Sequence, residues 1–127
     1  MNSKYLTIGA ISAALAIALG AFGAHGLEDK LSDHYLAVFE TGVRYHMYSS
    51  LGLMLIGLLS QAIGRSKAIV NGFRFVFIGM IIFSGSLYIL STTGFSKLGM
   101  ITPIGGVAMI AGWICIAAAA ANKNKKQ

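Results

Sequence analysis

Five residues could form a polar site: His25, Glu40, Arg44, Tyr45 and His46. Histidine can hold or pass a proton near neutral pH. Glu and Arg offer opposite charges, and Tyr offers a hydroxyl on an aromatic body. His25 lies between Gly23 and Gly26, and glycines permit close backbone approach. Arg44, Tyr45 and His46 are consecutive, with Tyr48, Ser49 and Ser50 just beyond. By topology His25 and His46 should both lie near the outer membrane face, where they could meet with Glu40 or Arg44 nearby. The site reading is a small ligand-binding pocket. The plainer alternative is interfacial anchoring, since Tyr, Arg and His commonly sit at headgroup level.

Other chemistry is weaker. His25, His34 and His46 do not follow a metal-ligand spacing, and a structural zinc takes four ligands. Cys115 stands alone, so neither an internal disulfide nor a CxxC site can form. No metal and no cofactor is expected. Ser84, Ser86 and Tyr88, followed by Ser91, Thr92 and Thr93, read as packing glue between helices. No Gly-x-Ser-x-Gly, no His-Glu-x-x-His and no paired carboxylates occur within an apolar run. The chain is therefore read as non-enzymatic, with no catalytic residue.

The elements that must position these residues follow from composition. Of 127 residues, 56% are hydrophobic and 11% charged, whereas soluble domains are about 25% charged. Too little charge is present to cover a water-facing surface, so lipid is the main solvent. A helix crosses the roughly 30 Å hydrocarbon core with about 20 apolar residues. Four such spans fit, at residues 5–24, 45–64, 75–96 and 101–121, and none contains Asp, Glu, Lys or Arg. The first also has the outline of a signal peptide. At about 20 residues it exceeds a usual signal core, and four spans are kept. Backbone groups in lipid must be satisfied internally, so each span should be a helix. The expected fold is an all-α integral membrane protein, an antiparallel four-helix transmembrane bundle forming one domain over residues 1–127.

An even span count puts both termini on one side. That side holds Lys4, Arg65, Lys67, Arg74, Lys123, Lys125 and Lys126, seven cations against Lys30, Arg44 and Lys97 on the other. The positive-inside bias then places both termini in the cytoplasm of a plasma-membrane protein. Residues 32–44 face outward as an amphipathic segment, with Ser32 as N-cap, Asp33 in the first turn and Glu40 paired to Arg44. It reads as a separate interfacial helix, or as an extension of the second span bent at Gly42. Thr102-Pro103 reads as a helix start, the alternative being a kink inside a longer helix. A two-plus-two repeat is suggested by hydropathy only, because aligning Ile8-Gly9 with Ile78-Gly79 yields few further identities.

Small residues should hold the bundle, since burying Leu against Leu gains little in hydrocarbon. Gly9 with Ala13, and Ala16, Gly20 and Ala24, recur every four residues in the first span, and Ala108 with Gly112 in the fourth. The first helix is expected to pack centrally against at least two others. A large side chain at Gly20 is expected to loosen the bundle.

Four blocks also resemble a known family. They are 20–27 (GAFGAHGL), 39–48 (FETGVRYHMY), 83–88 (FSGSLY) and 101–106 (ITPIGG). In order, they resemble domain-of-unknown-function family 423, small uncharacterised bacterial membrane proteins of the YwdK/YgdD type. The resemblance covers about residues 6–119. It implies four membrane spans and no established activity, and it supplies no catalytic residue. Ser49 departs from the family, whose members commonly carry His after the Tyr-x-Met-Tyr stretch.

The leading functional expectation is a non-enzymatic protein that binds a lipid or small apolar ligand, or acts as an accessory subunit. The alternative is a passive small-solute transporter or channel formed as an oligomer. Membrane lipids, a second copy or another membrane protein are the expected partners, and nucleic acid is not.

Overall fold

A computed structural model describes residues 3–126, with side chains described through Lys123. Four helices are long and apolar enough to cross a membrane. They are α1 (Lys4–Gly26), α2 (Asp33–Ile63), α3 (Lys67–Thr93) and α4 (Thr102–Lys126). A short 3-10 turn, Ser96–Met100, joins the last two. Both described ends of the chain lie at one end of the bundle, here the terminal end.

The boundaries have local causes. Ser32 caps α2 by accepting the Tyr35 N–H at 3.2 Å, and Ser66 caps α3 by accepting the Ile69 N–H at 3.3 Å. Gly64 at φ +88° and Gly94 at φ +74° end those helices in backbone conformations that side chains rarely adopt. α4 starts at Thr102, so Pro103 sits in its first turn and kinks nothing. α3 starts at Lys67, two turns before residue 75, because apolarity marks what lies in lipid and not where a helix begins. Ser66→Ala should cost about 1 kcal/mol. Unfolding midpoints in mixed micelles would measure this, and an unchanged midpoint would remove the cap from the account.

α2 is 31 residues long, or about 46 Å at 1.5 Å per residue. Residues 33–44 are its first three turns and run without a break into the second span. Gly42 is not a bend. It admits the ring of Tyr88, which would stand 3.0 Å from any Cβ placed there.

The central pair is α2 and α3. α1 lies along α2, and α4 along α3. α1 reaches α3 through side chains, with Tyr5 stacked on Phe73 at 3.8 Å. α4 reaches α2 through Trp113, whose ring fills the space over Gly52. α1 and α4 therefore flank the central pair, and the expected centrality of α1 is corrected. The reason is that α1 buries one strip, Gly9, Ser12, Ala16 and Gly23. Glycines on α2, by contrast, meet all three other helices: Gly57 meets α1, Gly42 meets α3 and Gly52 meets α4.

The packing residues expected from sequence are unequal. A Cβ at Gly9 would stand 2.9 Å from the Ser50 carbonyl oxygen, and one at Gly112 would stand 2.9 Å from that of Gly72. Ala16 is fully buried. Ala13 and Ala108 are half-buried, and Ala24 is exposed. Gly20 faces only the Val43 side chain, at 3.2 Å, which can turn aside.

The two hairpins use one contact register. Gly9 packs on Ser50 and Met54, and Gly79 packs on Gly105 and Met109. Gly57 packs on Leu6, and Gly112 packs on Val76. Residues 6 and 9 map to 76 and 79, and residues 50, 54 and 57 to 105, 109 and 112. The repeat is thus in the packing, although few identities carry it. At the terminal end the core is apolar, built from Leu53, Ile56, Ile69, Phe73 and Val76. Large apolar side chains such as Ile17, Leu55, Ile78, Val107 and Ile114 point outward, as a lipid-solvated surface requires.

Candidate functional site

The polar centre of the molecule is a buried row of side chains around His46, which is 8% exposed. Helical periodicity assembles it. On α2, Gly42, His46 and Ser50 recur every four residues, and on α3 Met80, Ser84 and Tyr88 do the same. Side chains four apart share one face, and α2 and α3 run antiparallel, so the rows face each other. Ser84 Oγ donates to the Gly42 carbonyl at 2.7 Å and fastens them together. α1 contributes Ser12, which is buried.

These groups form a continuous chain of hydrogen bonds. Tyr88 Oη lies 2.8 Å from His46 Nδ1, and Ser12 Oγ lies 3.1 Å from His46 Nε2. Ser12 and Ser50 hydroxyls are 2.6 Å apart, and Ser50 Oγ donates to the His46 carbonyl at 2.6 Å. Met80 Sδ lies 3.4 Å from Ser12 Oγ. One orientation satisfies every member with a neutral ring. Tyr88 donates to Nδ1, Nε2–H donates to Ser12, Ser12 donates to Ser50, and Ser50 donates to the carbonyl. Turning Ser50 toward Ser12 and Ser12 toward Nε2, with the ring proton on Nδ1, gives the reverse and frees the His46 carbonyl. The row can therefore offer a guest one acceptor or one donor at its Tyr88 end, and it carries no fixed charge.

The row borders a cavity of about 420 Å³ between α1 and α3, with α2 as its floor. Ile8, Ile11, Leu15, Phe77 and Ile81 form the walls, and Ser12, His46, Ser84 and Tyr88 supply the polar atoms. Ile11, Leu15 and Ile81 are each more than half exposed, so the cavity is a groove open to the bilayer. A Cβ at Gly85, on its α3 wall, would meet nothing within 4 Å. The volume is in the range of small-molecule sites, roughly 300–1,000 Å³.

The five residues expected to cluster do not. His25 is exposed near the end of α1. Thirteen residues of that helix, about 20 Å, separate it from Ser12, the partner of His46. The expected meeting of the two histidines is therefore corrected. α2 begins at Asp33 and not near residue 45, so His46 is carried three to four turns down toward mid-span. Glu40 and Arg44 are exposed, and with Gly20, Phe39 and Val43 they edge a shallow pocket of about 270 Å³. Tyr45 points to the other flank, its ring 4.8 Å from Phe83 and 5.6 Å from Tyr48. There, with Trp113, it lines a second groove of about 380 Å³ between α2 and α4. Among the described residues, no three His, Cys, Asp or Glu side chains gather to hold a metal.

Sequence spacing does not single out Ser12, although it is the one Ser within residues 5–24. Ser50 and Tyr88 were visible as polar groups. Only the antiparallel register shows that they converge on the one histidine inside the spans.

A family model described as "Protein of unknown function (DUF423)" matches residues 19–106. The chain belongs to this family. The UPF0382 membrane protein YwdK of Bacillus subtilis (strain 168) is 52% identical over 116 residues, covering 91% of this chain and 94% of YwdK. A UPF0382 membrane protein of Staphylococcus aureus (strain bovine RF122 / ET3-1) is 50% identical, covering 88% and 90%. One of Staphylococcus epidermidis (strain ATCC 12228 / FDA PCI 1200) is 49% identical over the same shares. No solved structure matches. This DUF423 chain is thus a helical membrane protein of a family named without an activity, and His46, Ser50 and Tyr88 fall inside the matched stretch.

Proposed function

We propose that this protein is a non-enzymatic binder of a lipid chain or small apolar molecule. The guest lies in the α1/α3 groove with its polar end at Tyr88, His46 and Ser12. The observation that carries this reading is the pairing of apolar, bilayer-open walls with one uncharged polar row on the floor. A guest with a hydroxyl or carbonyl at the end of a hydrocarbon body matches both parts. The Ser12–His46 contact resembles a nucleophile beside a base, but Ser12 is also engaged by Ser50 and Met80. The lining residues all lie inside helices, where each backbone N–H is already bonded to the preceding turn, so no free pair of N–H donors faces a developing oxyanion. A pore through one copy is disfavoured because Leu53, Ile56, Phe73 and Val76 fill the terminal end below Ser50. The excess of Lys and Arg at the terminal end supports a cytoplasmic placement of both termini.

Gly85→Phe tests the reading. A Cβ there meets nothing within 4 Å, so the α3 wall can carry a ring into the groove, and replacing a helical Gly by Phe does not lower helix propensity. The variant should fold at least as well as the parent and lose, in native mass spectrometry from membranes, an adduct that the parent retains. An identical adduct pattern in both would contradict the assignment.

A further inference from the structure

We propose that the α2–α3 loop and the last turns of α4 form a second, independent site for a phosphate-bearing anion, occupied by the phosphodiester of an anionic phospholipid. Two cavities flank this loop. The first, about 370 Å³, is bordered by Gly64, Arg65, Lys67, Asn122 and Lys123. The second, about 430 Å³, is bordered by Arg65, Ser66, Lys67, Asn71 and Arg74. Arg65 and Lys67 belong to both, so four cations surround one short stretch of chain.

No carboxylate side chain of this protein can neutralise them. All four acidic residues, Glu28, Asp29, Asp33 and Glu40, lie in or before the first turns of α2. Even Glu40 is 24 residues of helix from Gly64, about 36 Å, whereas charges in physiological salt are screened within about 8 Å. The side chains at this end are thus left with a net positive charge, which an external anion complements. Arg presents forked donors that fit phosphate oxygens in pairs, and Lys adds point charge. Asn71 and Asn122 supply neutral donors at the two rims. Apolar residues on the same cavity walls, Ile63, Ala68, Ala119 and Val70, continue into the spans. A headgroup held here therefore has a path for its acyl chains along the bundle, which a soluble anion does not need.

The test is a titration of the purified protein in neutral detergent with phosphatidylglycerol and with phosphatidylcholine of the same chains, followed by native mass spectrometry. Phosphatidylglycerol should bind about a hundredfold tighter. The triple variant Arg65→Gln/Lys67→Gln/Lys123→Gln should lose about fivefold per charge removed, down to the level of phosphatidylcholine. Lys30→Gln/Lys97→Gln, at the opposite end, should keep the preference. If the triple variant loses its melting transition, Arg65→Gln alone is scored by the same fivefold criterion. Equal binding of both lipids by the parent would overturn the site, as would equal losses in the two sets of variants. Inorganic phosphate displacing phosphatidylglycerol at equal concentration would also overturn it, by showing a soluble anion as the occupant. Because both lipids carry the same chains, the outcome does not depend on the groove between α1 and α3.

Discussion

Gly105→Ala should destabilise the bundle by about 2–3 kcal/mol, while Gly106→Ala, one residue on, should be neutral or stabilise by up to about 1 kcal/mol. A Cβ at Gly105 would stand 2.5 Å from the backbone nitrogen of Phe83 and 2.8 Å from the carbonyl oxygen of Gly79. Both are main-chain atoms of α3, so no rotamer change relieves the overlap and the two helices must separate. At Gly106 the nearest atoms are in the Phe83 ring at 3.7 Å, an ordinary contact. Helix propensity then decides the sign there, whereas overlap decides it at Gly105. In lipid this separation is costly, because association rests on dispersion contacts at short range and not on apolar burial. Gly20→Leu, facing only the Val43 side chain, should fall between the two. Reversible unfolding in mixed micelles would rank the three. Equal midpoints for Gly105→Ala and Gly106→Ala would refute close backbone packing as the device that holds α3 to α4.

Replacing His46 with Leu should cost about 1–2 kcal/mol, less than soluble-protein values for two broken hydrogen bonds suggest. A buried polar group left without a partner costs about 1–3 kcal/mol, but hydrogen bonds between membrane helices average about 0.6 kcal/mol and reach about 1.7 kcal/mol. The partners are also unequal. Ser12 keeps Ser50 at 2.6 Å, whereas the Tyr88 hydroxyl loses His46. The stranded Tyr88 hydroxyl therefore dominates the cost. It follows that Tyr88→Phe should restore part of the loss in the His46→Leu background, with a coupling energy near 1 kcal/mol in a double-mutant cycle. Strict additivity of the two substitutions would show that the imidazole and the phenol do not act together.

The number of spans and their helical character were legible because lipid imposes a strong rule: about twenty uncharged residues, all helical. The caps at Ser32 and the start at Thr102-Pro103 were legible too, since these signals are local. What was not legible depends on register between helices. His46 reads as interfacial while the second span is taken to begin near residue 45. It becomes central once Ser32 and Asp33 start the same helix three turns earlier. The same shift separates His25 from His46 and turns Tyr45 toward Phe83. Small residues on α1 recur on more than one face, so spacing alone could not show that only the strip through Gly9, Ser12 and Ala16 is buried. The repeat between the hairpins shows in hydropathy but hardly in identities, because it lies in contact geometry, with Ser50 standing where Gly105 stands in the other hairpin.

The measurement that bears most directly on the bilayer-open groove is photo-crosslinking in native membranes. The probe would be a fatty-acyl lipid with a diazirine near its chain end, and the adducts would be mapped by residue. Adducts concentrated on Ile11, Leu15 and Ile81, and removed there by Gly85→Phe, are the predicted result. Adducts spread evenly over the outward faces of all four helices, Val107 and Ile114 of α4 as strongly as Leu15, would contradict it.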